Sequence, residues 1–243
     1  MNVSDPDRPL TRTEASQAVE LIGWRYLLGT LCASFPVASL DRATTAARAA
    51  VQAAGDEADA HLRIDLRPER LELSVQTRTL GLVTGRDTEA AHRISAALSA
   101  LDLNVAPART DAFSRPVAML ELAIDAMDIA AIRPFWKAAL AYVDDPADPG
   151  PTGALVDAAG QQPAVWFQQM NQARPQRNRI HLDITVAHDE AEPRVHAVLG
   201  AGGRMVNDSY ARMFWVLADV EGNECCICTW TDRDEWAATH HQS

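Results

Sequence analysis

The segments Val117 to Asp125 and Arg177 to Val186 follow one pattern sixty residues apart, and this duplication constrains the fold more than any other feature of the chain. Leu120-Glu121-Leu122-Ala123-Ile124 lies over Ile180-His181-Leu182-Asp183-Ile184. In both, residues of one parity are apolar, as a half-buried strand requires. A polar start follows each strand, Asp128 or Asp189, and then a helical run: Ile129, Ile132, Phe135, Trp136 and Leu140 in the first copy, Val195, Val198 and Leu199 in the second. The second helix is expected to stop at Gly200 and Gly202-Gly203. Further strands are expected over 153–157 and 164–169 in the first copy and over 212–218 and 224–230 in the second.

The part of the chain before residue 104 has a different pattern. Thr11-Arg12-Thr13-Glu14 has capping-box spacing ahead of Ala15, Ala18, Val19 and Ile22, and Gly23 closes that helix. Trp24 to Val37 reads as one or two short strands, and an alanine-faced helix runs from Ser39 to Gly55. Ile64 and Leu66, the turn Pro68-Glu69, and Leu71, Leu73 and Val75 make a hairpin before a third helix carrying Ala90, Ala91, Ile94 and Leu98. This order predicts a two-layer α+β unit. The expected division is a disordered leader at 1–12, a first domain at 13–103, a linker at 104–116, a second domain at 117–231 and a tail at 232–243. The acidic connection from Asp144 to Gly150 is expected to be a solvated loop.

Charge and cysteine usage narrow the function classes. With 33 acidic against 22 basic residues and a net charge of -11, the chain is a poor match for nucleic acid or an anionic membrane. No run reaches the roughly 20 apolar residues of a membrane helix, and the polar first residues are unlike a signal peptide, so a cytoplasmic location is expected. Cys225, Cys226 and Cys228 crowd into one strand, where neighbours point to opposite faces, so free thiols are expected rather than disulfides. The segment lacks the second half of a zinc ribbon.

Phe135-Trp136, Asn178-Arg179-Ile180-His181-Leu182-Asp183 and Asp219-Val220-Glu221-Gly222-Asn223-Glu224 resemble the glyoxalase-like branch of the vicinal oxygen chelate superfamily, over about Val117 to Trp230. The resemblance implies paired βαβββ modules curled around one cavity. It also implies a divalent ion as candidate cofactor, with Glu121, His181 and the Glu224 to Cys226 neighbourhood as ligands. The usual acidic ligand falls at Cys226, with Glu224 two residues earlier on the same face. Parity turns His181 and Asp183 away from the helix, and the expected lining is Glu121, His181, Trp166 or Phe167, Gln168 or Gln169, Asp183, Trp215 and Glu224. Cys226 and Cys228 also read as small core residues.

The first hundred residues resemble pterin-4a-carbinolamine dehydratase in Gly23-Trp24, the alanine-faced helix, the hairpin, and Gly81-Leu82-Val83-Thr84 followed by Asp87. That family has a His-His-Pro triplet after the helix and another histidine after the second hairpin strand. Here these places hold Ala60, His61, Leu62 and Arg78, so only one histidine remains. Imidazole titrates near neutrality and suits loss of the 4a-hydroxyl; alanine carries no proton, and arginine stays charged and can hold an anion or a carbonyl. His61, Asp87 and Arg78 are the candidate residues.

Three functions follow as expectations. The first is a glyoxalase-like enzyme or binder for a pterin or an oxygenated metabolite, with His181 and Glu121 near the reacting atom. The second is a 4a-hydroxytetrahydropterin dehydratase with an altered site. The third is a non-catalytic ligand-binding or dimerisation protein; a homodimer is the expected assembly.

Overall fold

The structure is a computed structural model, and it describes residues 5–105, 119–173, 182–233 and 236. The fold class is α+β. The chain divides into two compact units, Met1–Met119 and Leu120–Ser243.

In the first unit, α1 (Arg12–Val19) begins with the expected capping box: the Thr11 hydroxyl accepts from the Glu14 amide, and the Glu14 carboxylate accepts from the Thr11 amide. A 3₁₀ turn over Glu20–Ile22 ends at Gly23, whose φ of +86° and closeness to Val105 exclude a side chain. Then come β1 (Arg25–Leu27), β2 (Thr30–Pro36), α2 (Leu40–Ala54), the short α3 (Ala58–His61), β3 (Leu62–Leu66), β4 (Arg70–Val75) and α4 (Gly85–Ser99). The strands form one antiparallel sheet in the order β1-β2-β4-β3.

One face of that sheet presents Leu31, Ala33, Phe35, Leu71, Leu73 and Val75 to the helices. The facing helix residues are Ala43, Ala46, Ala50 and Ala54 of α2 and Ala90, Ala91, Ile94 and Leu98 of α4, and the alanines let the two helices lie close. Arginines tie the helix ends. Arg93 donates to the carbonyls of Ala53 and Ala54 at 2.9 and 3.1 Å, and Arg42 donates to the carbonyl of Leu101, satisfying groups that helix ends leave open. The expectation of a disordered leader is corrected for residues 5–11. Leu10 donates to the Val83 carbonyl, Arg86 donates to the Pro6 carbonyl, and Asp7 pairs with Arg86. Sequence composition could not show those partners, which lie more than seventy residues away.

The second unit contains two modules of one topology. The first is β5 (Glu121–Ala126), α5 (Ile129–Leu140), β6 (Val143–Asp144), β7 (Leu155–Val156) and β8 (Ala164–Gln169). The second is β9 (Asp183–Thr185), α6 (Ala191–Gly200), β10 (Arg204–Asn207), β11 (Phe214–Ala218) and β12 (Glu224–Cys228). Each forms a four-stranded sheet, β5-β8-β7-β6 and β9-β12-β11-β10, in which the first strand pairs parallel with the fourth. Leu122 and Ile124 of β5 and Leu182 and Ile184 at β9 all pack on the core beside α5 and α6, the parity that the repeat predicts. Asp144 is corrected from a solvated loop to a strand residue, since Arg133 and Lys137 both reach its carboxylate, at 2.7 and 2.8 Å.

The recognisable turn Asp219 to Glu224 is a structural joint. Asp219 is fully buried and accepts from the Trp136 indole at 3.1 Å, from Asn223 Nδ2 at 2.8 Å, and from the amides of Glu221 and Asn223. Glu221 accepts from the amides of Met127 and Asp128 at the start of α5, so the end of the second module is fastened to the helix of the first.

Candidate functional site

Among the described residues a polar site forms in the first unit, where α3 runs into β3 and faces the start of α4. His61 is the last residue of α3, and its carbonyl accepts from the Gln76 amide just past β4. Its Nδ1 lies 2.7 Å from Asp87 Oδ1. A carboxylate only accepts, so Nδ1 carries the proton, and in the neutral ring Nε2 holds the lone pair. The His61 side chain is 11% exposed, while the Asp87 side chain is fully buried.

Asp87 is held from several directions. Its Oδ2 accepts from the Thr77 amide at 3.1 Å, the Thr77 hydroxyl at 2.8 Å, the Thr84 amide at 2.7 Å and the Thr84 hydroxyl at 3.1 Å. Thr84 caps α4, and Asp87 is the third residue of its capping box. A helix cap and a buried carboxylate for His61 are therefore the same side chain. Thr77 was absent from the sequence-based candidates; a signal was available in its place beside Arg78, but a lone threonine after a strand points to no chemistry.

Arg78 Nε donates to the Ala60 carbonyl at 3.0 Å, the residue immediately before His61. Its neighbour Thr77 has its hydroxyl 3.3 Å from His61 Nδ1. The guanidinium is thus tied to the backbone of the residue before His61, while Ala60 offers a methyl group where an imidazole would stand in the dehydratase pattern.

In the second unit the non-helical face of each sheet carries the other candidates. Cys225 and Ile227 belong to the helix-side core, so Cys226 and Cys228 face the other way, with Asp183 and Thr185 beside them in the parallel ladder and Val216 and Phe214 opposite them on β11. Burial and then the neighbouring Asp183 carboxylate push the Cys226 thiol up to about 12, and burial pushes Cys225 up to about 12 as well. On the other sheet, Val165 and Phe167 are in the core, and Trp166 and Gln168 share the opposite face with Glu121, Ala123 and Asp125. Trp166 is 38% exposed.

Several expected lining residues are placed elsewhere. Phe167 and Trp215 are corrected to the helix-side core, because their parity on β8 and β11 is that of Val165 and Leu217. The side-chain amide of Gln169 donates to the carbonyls of Met127 and Met170 and closes a strand end. Phe214, stacked on Tyr210 with ring centroids 5.1 Å apart, takes the place on that face that Trp215 was expected to fill. Aromatic identity alone could not decide between neighbours; the register on β12 does. His181 lies outside the described residues, and so does its superposition on Glu121.

The described residues do not by themselves fit a divalent ion. Among them, no group of three or more His, Cys, Asp or Glu side chains comes together to hold one. Among the described residues no helix is long and apolar enough to cross a membrane.

Comparison with known proteins bears on each unit. A model of the pterin 4 alpha carbinolamine dehydratase family matches residues 8–97, and a model of the glyoxalase-like domain matches residues 121–228. No curated protein matches. Among solved structures the chain is similar to a glyoxalase/bleomycin resistance protein/dioxygenase family enzyme from Burkholderia phytofirmans PsJN, at 17% identity and a TM-score of 0.38 over 45% of this chain and 95% of that one. It is similar to the fosfomycin resistance protein FosX from Mesorhizobium loti, at 12% identity and a TM-score of 0.38 over 49% and 97%. FosX from Listeria monocytogenes, complexed with Mn(II) and sulfate, is similar at 9% identity and a TM-score of 0.36 over 51% and 98%. The chain is a two-domain protein that joins a pterin-4a-carbinolamine dehydratase-like domain, matched over residues 8–97, to a glyoxalase-like domain, matched over residues 121–228.

Proposed function

We propose that the N-terminal unit is a slow dehydratase for a 4a-hydroxytetrahydropterin-type carbinolamine, with His61 as the group that moves protons. The observation that carries this is the 2.7 Å contact between His61 Nδ1 and the buried Asp87 carboxylate, which fixes the tautomer and keeps Nε2 available as a base. The reaction conserves protons: one leaves the ring nitrogen, one joins the departing 4a-oxygen, and a C=N bond forms as water is released. A single imidazole can serve both steps in turn, taking the nitrogen proton on Nε2 and passing it to the leaving oxygen. Asp87 stabilises the imidazolium between the two steps. A general acid or base supplies roughly 10² to 10⁴ of rate, so replacement of two histidines by Ala60 and Arg78 sets turnover at least about a hundredfold below that of an intact family member.

The glyoxalase-like unit supports a second reading, binding of a small oxygenated molecule on its non-helical sheet face. The half-exposed Trp166 indole, with Gln168 on the same strand face, favours it.

A carbinolamine assay with the full chain tests the main reading. Low turnover above the solvent rate is expected, abolished in His61→Ala and raised by combining Ala60→His with Arg78→His. Turnover at the level of an intact family member would show that two imidazoles are not needed. Turnover unchanged in His61→Ala would move the chemistry away from this site.

A further inference from the structure

We infer that the His61 site takes a substrate carrying a carboxylate or phosphate group, bound by Arg78 beside the proton-transferring imidazole. The inference deepens the dehydratase reading and rests on it for the placement of the working site. Arg78 is fixed through Nε to the Ala60 carbonyl, and its neighbour Thr77 touches both His61 and Asp87. One nitrogen is thus spent on holding the guanidinium in place, and its Nη groups have no hydrogen-bond partner among the described residues.

Charge at this place points the same way. Two acids of this unit are already paired with other cations: Asp7 pairs with Arg86, and Glu57 pairs with Arg86 at 2.7 Å and with Arg93 at 3.2 Å. Among the described residues no carboxylate pairs with Arg78, including Asp59 on the same short helix as His61. An arginine that carries no carboxylate partner among the described residues and is anchored to the residue before an imidazole only 11% exposed is arranged for an oxyanion: its planar fork matches two oxygens of a carboxylate or phosphate. A neutral bicyclic ring would leave the cation with only a carbonyl oxygen to hold. The replacements therefore change the site in a coherent direction: Ala60 removes a ring, and Arg78 supplies a permanent positive charge in place of a titrating group.

The test uses the full chain with its histidine rings labelled with nitrogen-15, titrated with malonate in one arm and inorganic phosphate in the other. A saturable shift of the His61 ring signals is expected with at least one anion, and the responding arm identifies the group. Arg78→Gln should weaken that binding about tenfold or more, as expected for loss of a charge-assisted contact, while Arg78→Lys should fall between the two with the rest of the spectrum unchanged. An unchanged dissociation constant in Arg78→Gln, or no saturable response of His61 to either anion, would overturn the inference. Measurable carbinolamine turnover alongside a silent anion titration would sink the anion site and leave the dehydratase reading standing. Anion binding without turnover would do the reverse.

Discussion

Replacing Asp87 with asparagine separates the two duties of that side chain. In the parent, Oδ2 accepts four hydrogen bonds from Thr77 and Thr84, and Oδ1 faces His61. Asparagine fits the same volume but has one acceptor end and one donor end. Turning its NH₂ toward the threonines would set it against the Thr77 and Thr84 amides, which can only donate, so the carbonyl takes the Oδ2 place and the NH₂ faces His61. Bonds to a charged acceptor contribute about 1.5–3 kcal/mol each and neutral ones about 0.5–1.5; because all four share one oxygen, their losses do not add fully, and we expect a cost of about 2–3 kcal/mol. His61 Nδ1 must then accept from the asparagine, which moves the ring proton to Nε2 and removes the lone pair that the dehydration needs. Turnover should fall at least about a hundredfold. Hydrogen exchange of the α4 amides reads the stability change, and nitrogen-15 shifts of the His61 ring read the tautomer. A ring that keeps Nε2 unprotonated in Asp87→Asn, or turnover equal to the parent's, would refute the reasoning.

Three further outcomes concern the glyoxalase-like unit. Burial raises Cys225 and Cys226 to about 12, so iodoacetamide at pH 8 should leave both thiols unmodified in the folded protein and alkylate them in denaturant. The raised values favour the neutral thiol in the fold, so this contribution to stability is complete below the unfolded value of about 8.5 and is lost as pH rises toward 12; urea midpoints at pH 7 and pH 10 check the sign. Asp144 is depressed by its hydrogen bonds from Lys137 and Arg133, so the parent's stability advantage over Asp144→Asn should be full at pH 6 and shrink as pH falls below the ordinary aspartate value of about 3.9; no shrinkage would mean that the pairs carry no weight.

What the sequence showed depended on the range of the interaction. Periodicities of two and 3.6 located β4, α2, α4, α5 and β8, since each buries one face of a regular element. The duplicated pattern placed Leu122 and Ile124 on the same side as Leu182 and Ile184. What escaped depended on partners distant in the chain. Nothing local to Asp5 through Thr11 signals docking on Val83 and Arg86, and nothing local to Trp215 says that its neighbour Phe214 faces away from the helices. The candidate site shows the same division: His61 and Asp87 were visible through a family pattern, whereas Thr77, which bridges them, was not.

Asp87 says less about function than His61 does. The capping box with Thr84 and the bonds from Thr77 would hold a carboxylate at this place in a purely structural protein, because they satisfy amides at the start of α4 and after β4. His61 has no such second duty beyond donating to Asp87 Oδ1, and several side chains could donate. The glutamine replacement tests this distinction. His61→Gln keeps an N–H for the buried carboxylate, so a structural role predicts a change within about 1 kcal/mol and little else. A proton-transfer role predicts that the same variant keeps its fold, with the α4 amides protected as in the parent, and loses turnover by about a hundredfold or more, because an amide cannot take up and release a proton near neutrality. His61→Ala, which leaves Oδ1 without its donor, should show the stability loss that the glutamine variant avoids. If turnover survives in His61→Gln, the imidazole is there for Asp87 alone, and this site is a helix cap with a histidine attached.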